Sequence, residues 1–193
     1  MKHHRPLGEH NVVKQWNQYI KTPKNPAFFL GTKDSLLATA YIEESIQYIT
    51  THFSDWLHIP ETKIIQHTDT TYQIIQEEVK GKSLDLRKIK DDEKLLDSLQ
   101  KLRKHNRDLR HSHWKAIDLY GTDVLLKPYI MHNIIHGDDG KLYIIDLWLL
   151  KKDVPHSLYG NVCHIAFYSQ YALLKASWNY MKRPNYEDVY KSY

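Results

Sequence analysis

The stretch that most constrains this chain is residues 132–150, His-Asn-Ile-Ile-His-Gly-Asp-Asp-Gly-Lys-Leu-Tyr-Ile-Ile-Asp-Leu-Trp-Leu-Leu. Ile134-Ile135 is a short apolar run, and Asp138-Asp139-Gly140 is turn chemistry that reverses a strand pair. Leu142-Tyr143-Ile144-Ile145 is β-branched and aromatic. The pattern predicts a tight β-hairpin, with Asn133 just before its first strand and Asp146 at the end of its second. An amide oxygen and a carboxylate at the mouth of one cleft are hard donors, suited to Mg²⁺ held jointly with phosphates. An ordinary hairpin with polar ends carries the same signature, so the rest of the chain must decide.

Upstream, residues 11–16 read as a short strand from which Lys14 projects. Pro23 and Pro26 break the chain, so 17–26 reads as a loop, and 27–31 as a further short strand. Asp34 or Ser35 is placed to N-cap a helix to about Phe53, because Leu36, Ile42, Ile46, Ile49 and Phe53 recur at helical spacing. Glu43 and Glu44 stand mid-helix. Ile59-Pro60 closes that region, and strand-like runs follow at 63–65 and 72–76, joined by polar turn residues. Glu77 to Leu84 reads as a strand leading through a short Gly-containing connector to a helix. Asp92 to Lys104 has Leu95, Leu96, Leu99 and Leu102 on one face. A loop over 151–160 and a helix over 161–181 complete an α+β chain.

These parts, in this order, resemble the protein-kinase-like superfamily. Asn-Ile-Ile, Asp-Asp-Gly and Leu-Tyr-Ile-Ile-Asp-Leu are similar to its metal-binding region, where a catalytic-loop Asn precedes a hairpin ending in Asp-Phe-Gly. Asn133 and Asp146 stand 13 residues apart, as that pattern requires. The resemblance implies a reduced two-lobed fold: a β-rich N-lobe over 1–80 lacking its first hairpin, and a mainly helical C-lobe over 81–193. It implies a phosphotransferase using ATP and Mg²⁺, with a hydroxyl acceptor on a protein Ser/Thr or a small molecule. Lys14 would contact phosphates, with Glu43 or Glu44 as its partner, and hinge backbone around Glu77 and Val79 would meet the adenine. Asp118 would serve as base and Asn133 with Asp146 as metal ligands; Asp123 is the alternative ligand, because Asp118-Leu-x-x-x-Asp123 is similar to the family's Asp-Leu-x-x-x-Asn.

The departures are specific. Pro128 stands five residues before Asn133, where the family carries its base, and Ala116 replaces the motif His. Leu147-Trp148 replaces Phe-Gly, and Gly8 is the only Gly before Lys14, so the Gly-rich phosphate loop is missing. An inactive, pseudokinase-like interaction module is the alternative these departures favour.

Composition narrows the classes further. With 41% hydrophobic residues, no apolar run approaches the roughly 20 residues that span a bilayer. Cys163 is the only cysteine, which excludes a disulfide within the chain and agrees with a reducing, cytoplasmic setting. No charged segment followed by an apolar one opens the chain, so no signal peptide is expected. A net charge of +4 suits a phosphate-bearing ligand but is too small and dispersed to call for nucleic acid. Scattered among thirteen His, the His105, His111 and His113 group needs no metal. Cys163 and His164 are sequence neighbours, which the expected helix would point apart.

Overall fold

The computed structural model describes residues 2–3, 10–23, 35–89, 92–113, 115–117, 119, 130–147 and 149–151. They form a mixed α+β arrangement in which two helices accompany three sheets. The first sheet has five strands in the order β1-β2-β3-β6-β5. Here β1 is Lys2–His3, β2 His10–Gln15, β3 Gln18–Pro23, β5 Thr62–Thr68 and β6 Thr71–Glu77. All its pairings are antiparallel. Between β3 and β5 come helix α1, Ser35–Phe53, and the two-residue β4, Leu57–His58.

Two sequence expectations are corrected here. Residues 18–23, expected as loop, are β3, paired with β2 from Gln15↔Gln18 to His10↔Pro23. Gln18-Tyr19-Ile20-Lys21-Thr22 is strand-prone; what hid it is the turn, which lacks Gly and instead holds Trp16 at φ 56. A bulky residue in this left-handed region is uncommon and costs about 1–2 kcal/mol. The second correction concerns the first hairpin, expected to be missing: β1 pairs with β2 through Lys2↔Val13 and His3↔Val12. The expected strand at 27–31 lies outside the described residues.

Helix α1 spans Ser35–Phe53, the range its periodicity predicted. Ala38, Ile42, Ile49 and Phe53 are buried, whereas Leu36, at 58% exposed, has turned away from the core. Its N-terminus is tied to the β5–β6 turn: Ser35 N–H donates to the Asp69 carbonyl at 2.8 Å and its hydroxyl to the Thr68 carbonyl at 2.5 Å. Backbone carbonyls of the β5–β6 turn thus restrain this helix end, and Asp34, one of the two expected caps, lies outside the described residues.

The second sheet runs β4-β10-β9-β7, with β7 Gly81–Asp85, β9 Ile130–Gly137 and β10 Leu142–Ile144. The expected hairpin is its centre, since Ile134 pairs with Ile144 and His136 with Leu142 around the 138–140 turn. Gly81-Lys82-Ser83, expected as a connector, is instead strand, pairing with 135–137 of β9. Only Gly fits at 81, because a Cβ there would stand 2.2 Å from the His136 carbonyl oxygen. Although β4 falls within residues 1–80, it pairs parallel with β10, so the sheets do not divide at residue 80.

Helix α2, Glu93–His113, extends well past the expected Lys104 and buries Leu95, Leu99 and Leu102. It leads to β8, Lys115–Ile117, which pairs antiparallel with β11, Leu149–Lys151. The core gathers α1, α2 and the second sheet around Ile42, Phe53, Leu99, Ile134 and Ile144. Among the described residues no helix is long and apolar enough to cross a membrane.

Candidate functional site

The site is built on the end of the β9–β10 hairpin. Asn133 lies inside β9 rather than before it, and it is 6% exposed. Its carbonyl accepts the Ile145 N–H at 3.0 Å, and its own N–H donates to the Leu119 carbonyl at 3.2 Å. Asp146, half-buried, follows Ile145 directly, two residues past the end of β10.

The Ile145 carbonyl is held from the first sheet. Lys21 of β3 donates from Nζ to the Ile145 carbonyl oxygen, across 124 residues of sequence. Ile145 is therefore held on both sides, its N–H by the Asn133 backbone carbonyl and its own carbonyl by the Lys21 ammonium, immediately before Asp146. Charge-assisted bonds of this kind are about twice as strong as neutral ones.

Lys14, the lysine chosen from sequence, is placed elsewhere. It stands on β2 opposite Tyr19 and pairs with Glu78, just past the end of β6. That contact raises the Lys14 pKa and lowers that of Glu78, the hydrogen bond between them being the main cause in both. Tyr19 donates to the same Glu78 Oε1 at 3.3 Å, and burial pushes its phenol up. Neither Glu43 nor Glu44 is the partner that Lys14 takes: on α1, Glu43 is exposed and Glu44 half-buried.

The expected hinge is structured. Glu77, exposed at the end of β6, donates its N–H to the Glu61 carbonyl at 2.9 Å; Glu78 N–H reaches the Asn17 carbonyl at 2.7 Å. Val79 is half-buried, and the next residue, Lys80, accepts the Asp138 N–H at 2.9 Å. The hairpin turn is fixed in turn by Tyr143, whose hydroxyl donates to Asp139 Oδ2 at 2.8 Å and holds that carboxyl below its usual range.

Asp118 and Asp123 lie outside the described residues. The chain neighbours of Asp118 are described: Ile117 ends β8 and Leu119 bonds to Asn133, and both are fully buried. Among the described residues no three His, Cys, Asp or Glu side chains gather to hold a metal ion. Lys21 is the site residue that sequence reasoning missed. The available signal was composition, because Tyr19, Ile20 and Thr22 around Lys21 are strand-prone residues. No family model and no curated protein sequence matches the chain.

Proposed function

We propose that the chain is an ATP- and Mg²⁺-dependent phosphotransferase of the protein-kinase-like fold, acting on a hydroxyl acceptor. The observation that carries this reading is the pair of bonds at Ile145, its N–H to the Asn133 backbone carbonyl and its carbonyl to the Lys21 ammonium, which ties a strand lysine to the residue before Asp146. Phosphoryl transfer asks a protein mainly for charge neutralisation and positioning, with a strand lysine on the phosphates and an Asn and an Asp on the metal. Lys21 takes the lysine role in place of Lys14, because it stands on the strand that precedes α1 and reaches the hairpin.

Asn133, buried, and Asp146, half-buried, would together offer a two-donor oxygen set. Such a set suits Mg²⁺, which keeps several waters and shares substrate phosphate oxygens rather than entering an all-protein cage. When bound, the ion would neutralise charge developing on the transferred phosphoryl group. Asn133 and Asp146 would hold it, and Lys21 would draw phosphate oxygens toward it. Asp118 is the proposed group that accepts the acceptor's hydroxyl proton.

A thermal-shift titration with ATP and Mg²⁺ tests the reading. A ligand that binds only the folded chain adds about 2.7 kcal/mol at a hundredfold excess over Kd. The expected result is a Mg²⁺-dependent rise that Asp146→Ala abolishes. No rise at millimolar ATP would reject the site and favour an interaction module.

A further inference from the structure

We infer that the site grips its phosphate donor by the phosphates alone and does not select the base, an inference resting on the phosphotransferase reading above. On β3, Lys21 and Tyr19 are two residues apart and share a face, about 7 Å along the strand. The register sets them beside Val12 and Lys14 of β2 and beside Ile74 and Gln76 of β6. From Lys21 toward residues 78–80, the next side chain on that face is Tyr19. Its hydroxyl bonds to Glu78, Lys14 pairs with the same carboxylate oxygen, and the Lys14 ammonium lies 5.8 Å from the centre of the Tyr19 ring. Tyr19 and Lys14 therefore lock onto Glu78, the first residue of the connector that a nucleoside base would reach, with Tyr19 standing next to the phosphate lysine.

Part of the connector's backbone is committed as well. The N–H groups of Glu77 and Glu78 and the carbonyl of Lys80 are bonded to Glu61, Asn17 and Asp138. Reading a base edge at the Glu77 or Glu78 N–H exchanges an existing bond for a new one, with little net gain. Displacing Tyr19 likewise separates it from Glu78 and Lys14. What base contact adds is spent on opening the cluster, so affinity comes from Lys21, Asp146 and the metal.

The test is calorimetric titration of the whole chain with Mg²⁺ and, in turn, ATP, GTP and tripolyphosphate. The three are expected to bind with Kd values within about threefold of one another, a difference well under one decade. Tyr19→Ala is expected to tighten ATP and GTP while leaving tripolyphosphate unchanged. Tyr19→Phe, which keeps the ring and loses the bond to Glu78, gives a smaller change in the same direction should the Ala variant fail to fold. ATP binding tenfold or more tighter than tripolyphosphate in the unsubstituted chain would overturn the inference and leave the phosphotransferase reading standing. So would weaker ATP binding in Tyr19→Ala with tripolyphosphate unchanged, since the ring would then be supporting the base. If none of the three binds, the phosphotransferase reading fails and the inference with it.

Discussion

The two larger sheets use similar strand chemistry for different ends. In the second sheet, Leu57, Leu84, Met131, Ile134, Leu142 and Ile144 are all buried, so β7, β9 and β10 form a fixed scaffold inside the core. In the first sheet, one face packs Tyr72 and Ile74 inward, while Val13 and Ile65 on the other are each 39% exposed. The difference explains how the site is made. The buried sheet supplies a rigid peptide at Ile145, and the half-wet sheet supplies long cationic side chains that reach it or stop short.

The largest effect expected from this contrast is on stability. Ile144→Ala in the buried sheet should cost about 2–5 kcal/mol, and Ile65→Ala in the open one about 1 kcal/mol or less. Urea unfolding midpoints at constant m-value measure both, and equal losses would erase the distinction.

A smaller effect comes from titration. His105 packs edge-on to Phe53 with ring centres 4.7 Å apart, joining α2 to α1. Burial holds its pKa below the ordinary 6.5, against an opposing pull from Asp108. The unfolded chain therefore binds this proton first. Stability is full above pH 6.5, falls as pH drops below it, and levels off beneath the folded value. Unfolding midpoints between pH 7.5 and 5 should decline less in His105→Leu than in the unsubstituted chain.

The smallest effect belongs to the open sheet, where Lys14 keeps Glu78 below its ordinary 4.5. The stability this adds is present above pH 4.5 and lost as pH falls through the lower folded value. Exposed pairs contribute little, so Glu78→Gln should differ only slightly from the parent at pH 7. That difference should vanish in acid, as paired unfolding curves at the two pH values would register.

The buried sheet was the more legible part. Ile134, Ile144 and the Asp-Gly turn announce their hairpin locally, and α1 announces itself through Ile42, Ile49 and Phe53. Less legible was whatever depends on contacts far apart in sequence. Asn133 was expected outside its strand because a polar residue reads as an end; within the fold it is buried and bonded to Leu119. Lys14 and Lys21 lie seven residues apart, and both are strand lysines. Nothing local distinguishes the one that meets Glu78 from the one that meets Ile145. The Trp16–Asn17 turn carries no Gly to mark it, so β3 and its lysine read as loop in the sequence.

The central claim, that Lys21 and not Lys14 meets the phosphates, is tested most directly by titrating Lys21→Met and Lys14→Met with Mg²⁺-tripolyphosphate. The account predicts tenfold or greater weakening in Lys21→Met, at least about 1.4 kcal/mol, and about twofold or less in Lys14→Met. Lost binding in Lys14→Met with Lys21→Met unaffected would contradict it.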